Sequence, residues 1–149
     1  MTKAKLRVFL DTNVIFSGLY SPQGAHGVIL KYFIEGREGI VVCRQVLEEV
    51  IRTLKEKMPE ALPVIKRLLV NAPPEVGADP SLEAIKSWAK EVHIADAAIL
   101  AAAIAAKPDY FISGDNHFLE NPVIKEKSGL NILTPGQFVN LLEPRNDNS

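Results

Sequence analysis

Short apolar runs alternating with longer helical-period segments constrain this chain most. Leu6-Arg7-Val8-Phe9-Leu10 reads as a strand. It ends abruptly in Asp11-Thr12-Asn13, residue types that suit a strand-to-helix turn and an N-cap. Val14 to Leu19 reads as a helical turn or more, Ser21 to Gly24 as a loop, and Ala25 to Glu35 as a helix. Ile40 to Cys43 is a second short strand, followed by a helix over Gln45 to Lys57 that Pro59 stops. A further helix is expected over Glu60 to Val70, with Pro63 in its first turn. Pro73 and Pro74 leave only a short or irregular third strand. Helices follow over Ser81 to Lys90 and Ala95 to Ala106. A strand is expected at Tyr110 to Ile112, another at Leu130 to Leu133, and a last helix from Thr134-Pro135 through Leu142. Such alternation implies a parallel sheet covered on both faces by helices.

The 149 residues suit one domain with one core. With no repeat or linker, the domain is expected over residues 1–143, and residues 144–149 as a disordered tail. Apolar residues make up 47% of the chain, enough for a packed core. No apolar run approaches the roughly 20 residues that span a bilayer, and the stretch after Lys5 is too short for a signal peptide, so a cytoplasmic protein without membrane contact is expected. The single cysteine, Cys43, excludes an internal disulfide and a cysteine metal cluster, and its neighbours suggest a buried strand position. The net charge of −1 counts against a protein that coats nucleic acid through overall positive charge, though local basic patches can still hold phosphates.

Ligand sites in parallel sheets lie at the carboxyl ends of the strands. Asp11 follows the first strand and Asp115 the fourth. Glu49 and Asp96 sit in helices otherwise lined by apolar or small residues. Singly, each has a plain structural reading: Asp11 and Asp96 as helix caps, Glu48 or Glu49 as a solvated charge, Asp115 as a turn residue. As a set they have a chemical purpose. Converging carboxylates repel one another unless a cation neutralises them. Hard cations take oxygen ligands, so carboxylates without a histidine or cysteine cluster favour Mg²⁺ or Mn²⁺ over zinc. Such an ion activates water and stabilises a leaving oxygen in phosphodiester cleavage. His26, His93 and His117 are scattered along the chain and show no ligand spacing.

At these residues the sequence resembles the PIN-domain family. Val8 to Val14, with Asp11-Thr12-Asn13, resembles its opening motif. Val46 to Leu54 resembles its second motif, Asp96 to Ala103 its third, and Asp109 to Asp115 its fourth. The resemblance implies a three-layer α/β/α fold around a parallel sheet of about five strands. It also implies a ribonuclease site using Mg²⁺ or Mn²⁺. By that resemblance the catalytic acids are Asp11, Glu49, Asp96 and Asp115, with Asp11, Asp96 and Asp115 holding metal directly; Glu49 fits the motif better than Glu48. Asn13 and Ser113 match polar positions near the family's site. Many small members are toxins of toxin–antitoxin pairs, which implies an antitoxin protein as partner. In one place the chain departs: many members carry a further acid two residues after the last motif aspartate, where this chain has His117, and this bears on a second metal position.

Single-stranded RNA is the expected substrate, with Arg44, Arg52 and Lys107 as candidate phosphate contacts on the rim. Arg52 could instead pair with Glu48 or Glu49. A homodimer is expected, because Ile15, Phe16, Leu19, Tyr20, Leu30, Phe33, Leu62, Ile65 and Leu69 offer more apolar surface than one sheet face absorbs. Three other readings compete. A haloacid-dehalogenase-like phosphatase needs a second acid where this chain has Asn13. A catalytically weak PIN-like module that binds RNA or protein would not need all four acids. A flap-endonuclease-like DNA cutter needs a helical arch for which the chain is too short.

Overall fold

In a computed structural model, which describes residues 5–21 and 23–143, every strand lies parallel to its neighbours. The expected tail, 144–149, lies outside the described residues. The chain opens with β1 (Arg7–Leu10), then α1 (Thr12–Tyr20) and α2 (Ala25–Ile34). Next come β2 (Gly39–Cys43), α3 (Arg44–Lys57), a 3₁₀ turn (Pro59–Ala61), α4 (Leu62–Asn71) and β3 (Glu75–Gly77). The second half holds α5 (Leu82–Ala89), α6 (Ile94–Ala106), β4 (Tyr110–Ile112), α7 (Asn116–Leu119), α8 (Pro122–Lys127), β5 (Ile132–Leu133) and α9 (Pro135–Leu142). The sheet order is β3-β2-β1-β4-β5. Right-handed crossovers set the helices after β1 and β2 on one face and those after β3 and β4 on the other, giving the expected three-layer α/β/α fold. Consistent with this, α1 packs on α2 and α3, and α5 on α6.

The central strands explain why their sequences are almost unbroken in apolarity. Val8, Phe9, Leu10, Phe111 and Ile112 are all fully buried, because helices cover both faces of the sheet. Phe9 stacks on Phe111 across the β1–β4 pair, with ring centroids 5.4 Å apart and planes 9° from parallel. Cys43 is buried at the end of β2, as its neighbours suggest. At the edge, β3 is short and its Val76 is 50% exposed. There the Arg7 guanidinium reaches across to the Glu75 carboxylate, with Nε 2.9 Å from Oε1.

One expectation shifts, and two elements appear that the sequence did not announce. The β5 strand begins at Ile132, not Leu130, because the Leu130 N–H donates to Ser128 Oγ (3.1 Å) and Gly129 turns the chain at φ +71°. The segment between β4 and β5 holds two short helices, α7 and α8, capped by Asp115 and Asn121. They are too short for a hydrophobic period to announce them.

Most apolar side chains behind the expected dimer contact belong to this chain's own core. Ile15, Leu30, Phe33 and Ile65 are buried, and Phe16, Leu19, Leu62 and Leu69 pack against the same core. Tyr20 stays outside at 71% exposure, stacked on Phe16. Among the described residues no helix is long and apolar enough to cross a membrane.

Candidate active site

The strand order reverses direction between β1 and β4, and the carboxyl ends of these two strands flank the crevice that this reversal opens. Asp11 is the first residue beyond β1 and Ser113 the first beyond β4. Asp11 caps α1: its Oδ1 accepts from the Thr12 N–H at 2.8 Å. Its other oxygen accepts from the hydroxyl of Ser113 at 2.9 Å. Ser113 is fully buried, and its Oγ in turn accepts the Asp115 N–H at 3.0 Å. One serine therefore ties together the acids that end the two central strands. Asp115 caps α7 through the His117 N–H, at 2.9 Å.

Two helices bring in the other acids. On α3, Glu49 accepts from the Thr12 hydroxyl at 2.9 Å and from Gln45 Nε2 at 3.2 Å. The same amide nitrogen lies 3.3 Å from the Ala95 carbonyl oxygen, which ties α3 to the first turn of α6. Asp96 stands in that turn, capped by His93, whose Nδ1 accepts the Ala95 N–H at 3.3 Å. Neighbouring Glu48 is exposed and faces Arg44 instead. Asp11, Glu49, Asp96 and Asp115 all line one cleft of about 250 Å³, together with Asn13 and Arg52.

The sequence model of the PIN domain matches residues 7–117, most of the chain. The chain belongs to the PIN-domain family. Members of this family are generally nucleases that use divalent metals. No curated protein matches its sequence significantly. Among solved structures it is similar to PAE2754 from Pyrobaculum aerophilum, with a TM-score of 0.67 and 15% identity over 94% of this chain and 91% of that one. It is also similar to VapBC2 from Rickettsia felis, solved bound to a DNA fragment from their promoter, with a TM-score of 0.62 and 16% identity over 87% and 98%. FitAcB from Neisseria gonorrhoeae gives a TM-score of 0.57 and 18% identity over 87% and 98%. At these identities the likeness is one of fold.

The cleft of this PIN domain is charge-frustrated. Burial pushes the Asp11 carboxyl up to about 6; the hydrogen bonds from Ser113 and Thr12 oppose the shift, and the charges of Asp115 and Asp96 add to it. Asp96 is raised as well, first by burial and then by the Asp115 charge, against the pull of His117 and His93; Glu49 adds a small upward push. Asp11, 4% exposed, has hydrogen-bond donors but no cationic partner within 4 Å among the described residues. Among the described residues, Asp96, Asp115 and His117 bring ligand atoms within 4.8 Å of one another, while Asp11 and Glu49 line the same cleft outside that group; carboxylate oxygens so placed match the chemistry of a hard divalent cation. The residues present therefore fit such an ion.

The rim residues separate. Asn13 and Arg52 line the cleft, and Arg52 pairs with neither Glu48 nor Glu49 within 4 Å. Arg44 stands in an adjoining groove, its Nη2 held 2.9 Å from Asp79 Oδ2. Lys107 ends α6 with φ 51° at the opposite edge of the sheet, where its carbonyl accepts from Arg7 at the start of β1. The distance along α6 from Asp96 to Lys107 takes it away from the cleft.

One histidine gains a place that its spacing along the chain does not announce. The histidines' spacing gives no ligand pattern, yet folding brings His117 to Asp96 and Asp115, with one ligand atom from each within 4.8 Å of the others. Thr12 and Gln45, which hold Glu49, escaped sequence reasoning. Gln45 carried a signal, since it lies four residues before Glu49 on one helix face. For Thr12 the signal was weaker, because its position suggested only a turn.

Proposed function

We propose that this chain is a metal-dependent endoribonuclease that cleaves phosphodiester bonds in single-stranded RNA. The observation that carries the reading is the convergence of Asp11, Glu49, Asp96 and Asp115 on one cleft at the sheet's carboxyl edge. In this reading Asp11, Asp96 and Asp115 would hold a Mg²⁺ or Mn²⁺ ion, and Glu49 would contact it or its waters. Bound there, the ion supplies charge neutralisation, a more acidic water and stabilisation of the leaving oxygen.

The chain's own residues do the rest. Ser113 fixes the orientation of Asp11 and the backbone of Asp115, whose carboxylate accepts from the His117 N–H, so both carboxylates are held before substrate arrives. Thr12 and Gln45 fix Glu49 in the same way. Arg52 contributes a cation to a phosphate beside the acids, and Asn13 a polar group to the backbone of the strand. The partners we propose are an antitoxin protein and a second copy of the chain, meeting through helix faces of the first half of the chain, where Tyr20 stays exposed; the place of action is the cytoplasm.

End-labelled single-stranded RNA incubated with the purified protein tests the activity. Internal cleavage in Mn²⁺ or Mg²⁺, lost in excess chelator and in an Asp11→Asn variant, is the expected outcome. Cleavage that survives chelator, or full activity in the variant, overturns the reading.

A further inference from the structure

Where the sequence departs from the family's acidic pattern, the structure supplies an imidazole to the same carboxylates. Asp115 caps α7, and that cap draws the second residue of the turn back over it: the His117 N–H lies 2.9 Å from Asp115 Oδ1, and His117 Nδ1 lies 3.4 Å from the same oxygen. Asp96 approaches from α6 on the other side, and among the described residues its carboxylate accepts no hydrogen bond. One ligand atom each from Asp96, Asp115 and His117 falls within 4.8 Å of the others. The imidazole is 81% exposed, so binding an ion there requires no burial of the ring. A cavity of about 600 Å³, lined in part by His93, Asp96, Asn116 and His117, opens beside two of the three side chains and has room for water to complete a coordination shell.

We propose that His117 is a direct metal ligand, joining Asp96 and Asp115 in a mixed nitrogen–oxygen site that favours a first-row transition ion such as Mn²⁺ over Mg²⁺. The inference rests on the nuclease reading above and specifies its metal. The chemistry follows from the donor atoms. Mg²⁺ demands near-ideal octahedral oxygen ligation and gives up water reluctantly, so an imidazole adds little to its binding. Transition ions accept imidazole nitrogen readily, and a nitrogen ligand raises their affinity over that of Mg²⁺. The competing account is a surface ion pair in which His117 only offsets the charge of Asp115.

Electron spin-echo spectroscopy of Mn²⁺ bound to the purified protein, with titration calorimetry of Mn²⁺ and Mg²⁺, separates the two without reference to activity. The wild-type spectrum is expected to carry ¹⁴N modulation from a coordinated imidazole. His117→Ala and His117→Asp should abolish the modulation, while His93→Ala and His26→Ala retain it. His117→Ala should weaken Mn²⁺ binding by about tenfold or more, at least the loss seen when only an outer-shell partner of a ligand is removed, with a much smaller loss for Mg²⁺. His117→Asp should keep metal binding but lower the ratio of Mn²⁺ to Mg²⁺ affinity. Mn²⁺ that binds without nitrogen modulation, and is weakened by Asp96→Asn, overturns the role of His117 and leaves the nuclease reading standing. No binding of either ion overturns both.

Discussion

Asp11 and Arg44 occupy equivalent places on neighbouring strands, each the first residue beyond the carboxyl end. Their surroundings differ in kind. Arg44 has a side chain 68% exposed, and carboxylates of Asp79 and Glu48 lie at 2.9 and 3.9 Å, so its charge is balanced within the chain. Asp11 is buried among hydrogen-bond donors and other acids, and its carboxyl is pushed up to about 6. Position at the sheet edge is thus shared by a residue whose charge is already satisfied and one whose charge awaits an external partner. The second is where the proposed cation and phosphate would bind.

The largest effect that would break this contrast is on cleavage. Asp11→Asn keeps the shape and can still accept from the Thr12 N–H, but it removes the charge and turns the atom facing Ser113 from an acceptor into a donor. RNA cleavage should fall by about a hundredfold or more, the scale of loss when a reacting arrangement is disturbed. A gel assay showing near-wild-type rates would erase the distinction between the two strand ends.

Stability against pH follows next. The folded Asp11 holds its proton up to about 6, whereas an unfolded aspartate releases it near 3.8. Between these values the folded state binds more protons, so its stability is greatest below the unfolded value and falls as pH rises through about 6. In chelator, this contributes a loss of up to about 3 kcal/mol on going to neutral pH. Urea unfolding should show that decline in the wild type and a flatter profile in Asp11→Asn. An identical pH slope in both proteins would mean that the Asp11 charge is not frustrated.

A smaller loss is expected at the serine that links the two central strands. Ser113→Ala leaves Asp11 Oδ2 without its donor and the Asp115 N–H without its acceptor. The cost should be about 1–3 kcal/mol in denaturant unfolding. An unchanged midpoint would show that neither hydrogen bond supports the cleft.

RNA binding gives the smallest effects and separates the arginines. Arg52→Ala should weaken binding of a non-cleaved RNA across sequences and reduce the slope of log affinity against log salt by about 1. Arg44→Ala, whose partners lie within its own groove, should change affinity by less than about twofold, as expected for a solvent-exposed pair. The opposite ranking in a filter-binding series would move the RNA path into the Arg44 groove.

Much of this arrangement was legible in the sequence because burial on both faces forces unbroken apolar strands. Val8-Phe9-Leu10 and Tyr110-Phe111-Ile112 marked the central pair, and so marked the places where Asp11 and Asp115 emerge. Helix periodicity separated half-buried Glu49 from exposed Glu48 only with the help of the family motif. The histidine contribution was hidden because His117 and Asp96 are distant in sequence, and a four-residue helix sets their approach. The excess of apolar residues was visible, but their division between core and surface was not. Ile15 and Tyr20 read alike, yet one is 4% and the other 71% exposed.

The proposed divalent ion would sit where these carboxylates meet. Anomalous diffraction from crystals soaked in Mn²⁺ tests it most directly. A peak is expected in the cleft within coordinating distance of Asp96 and Asp115, with Asp11 facing it and Arg44 remote from it. A cleft that stays empty at millimolar Mn²⁺, with the carboxylates turned apart, would contradict it.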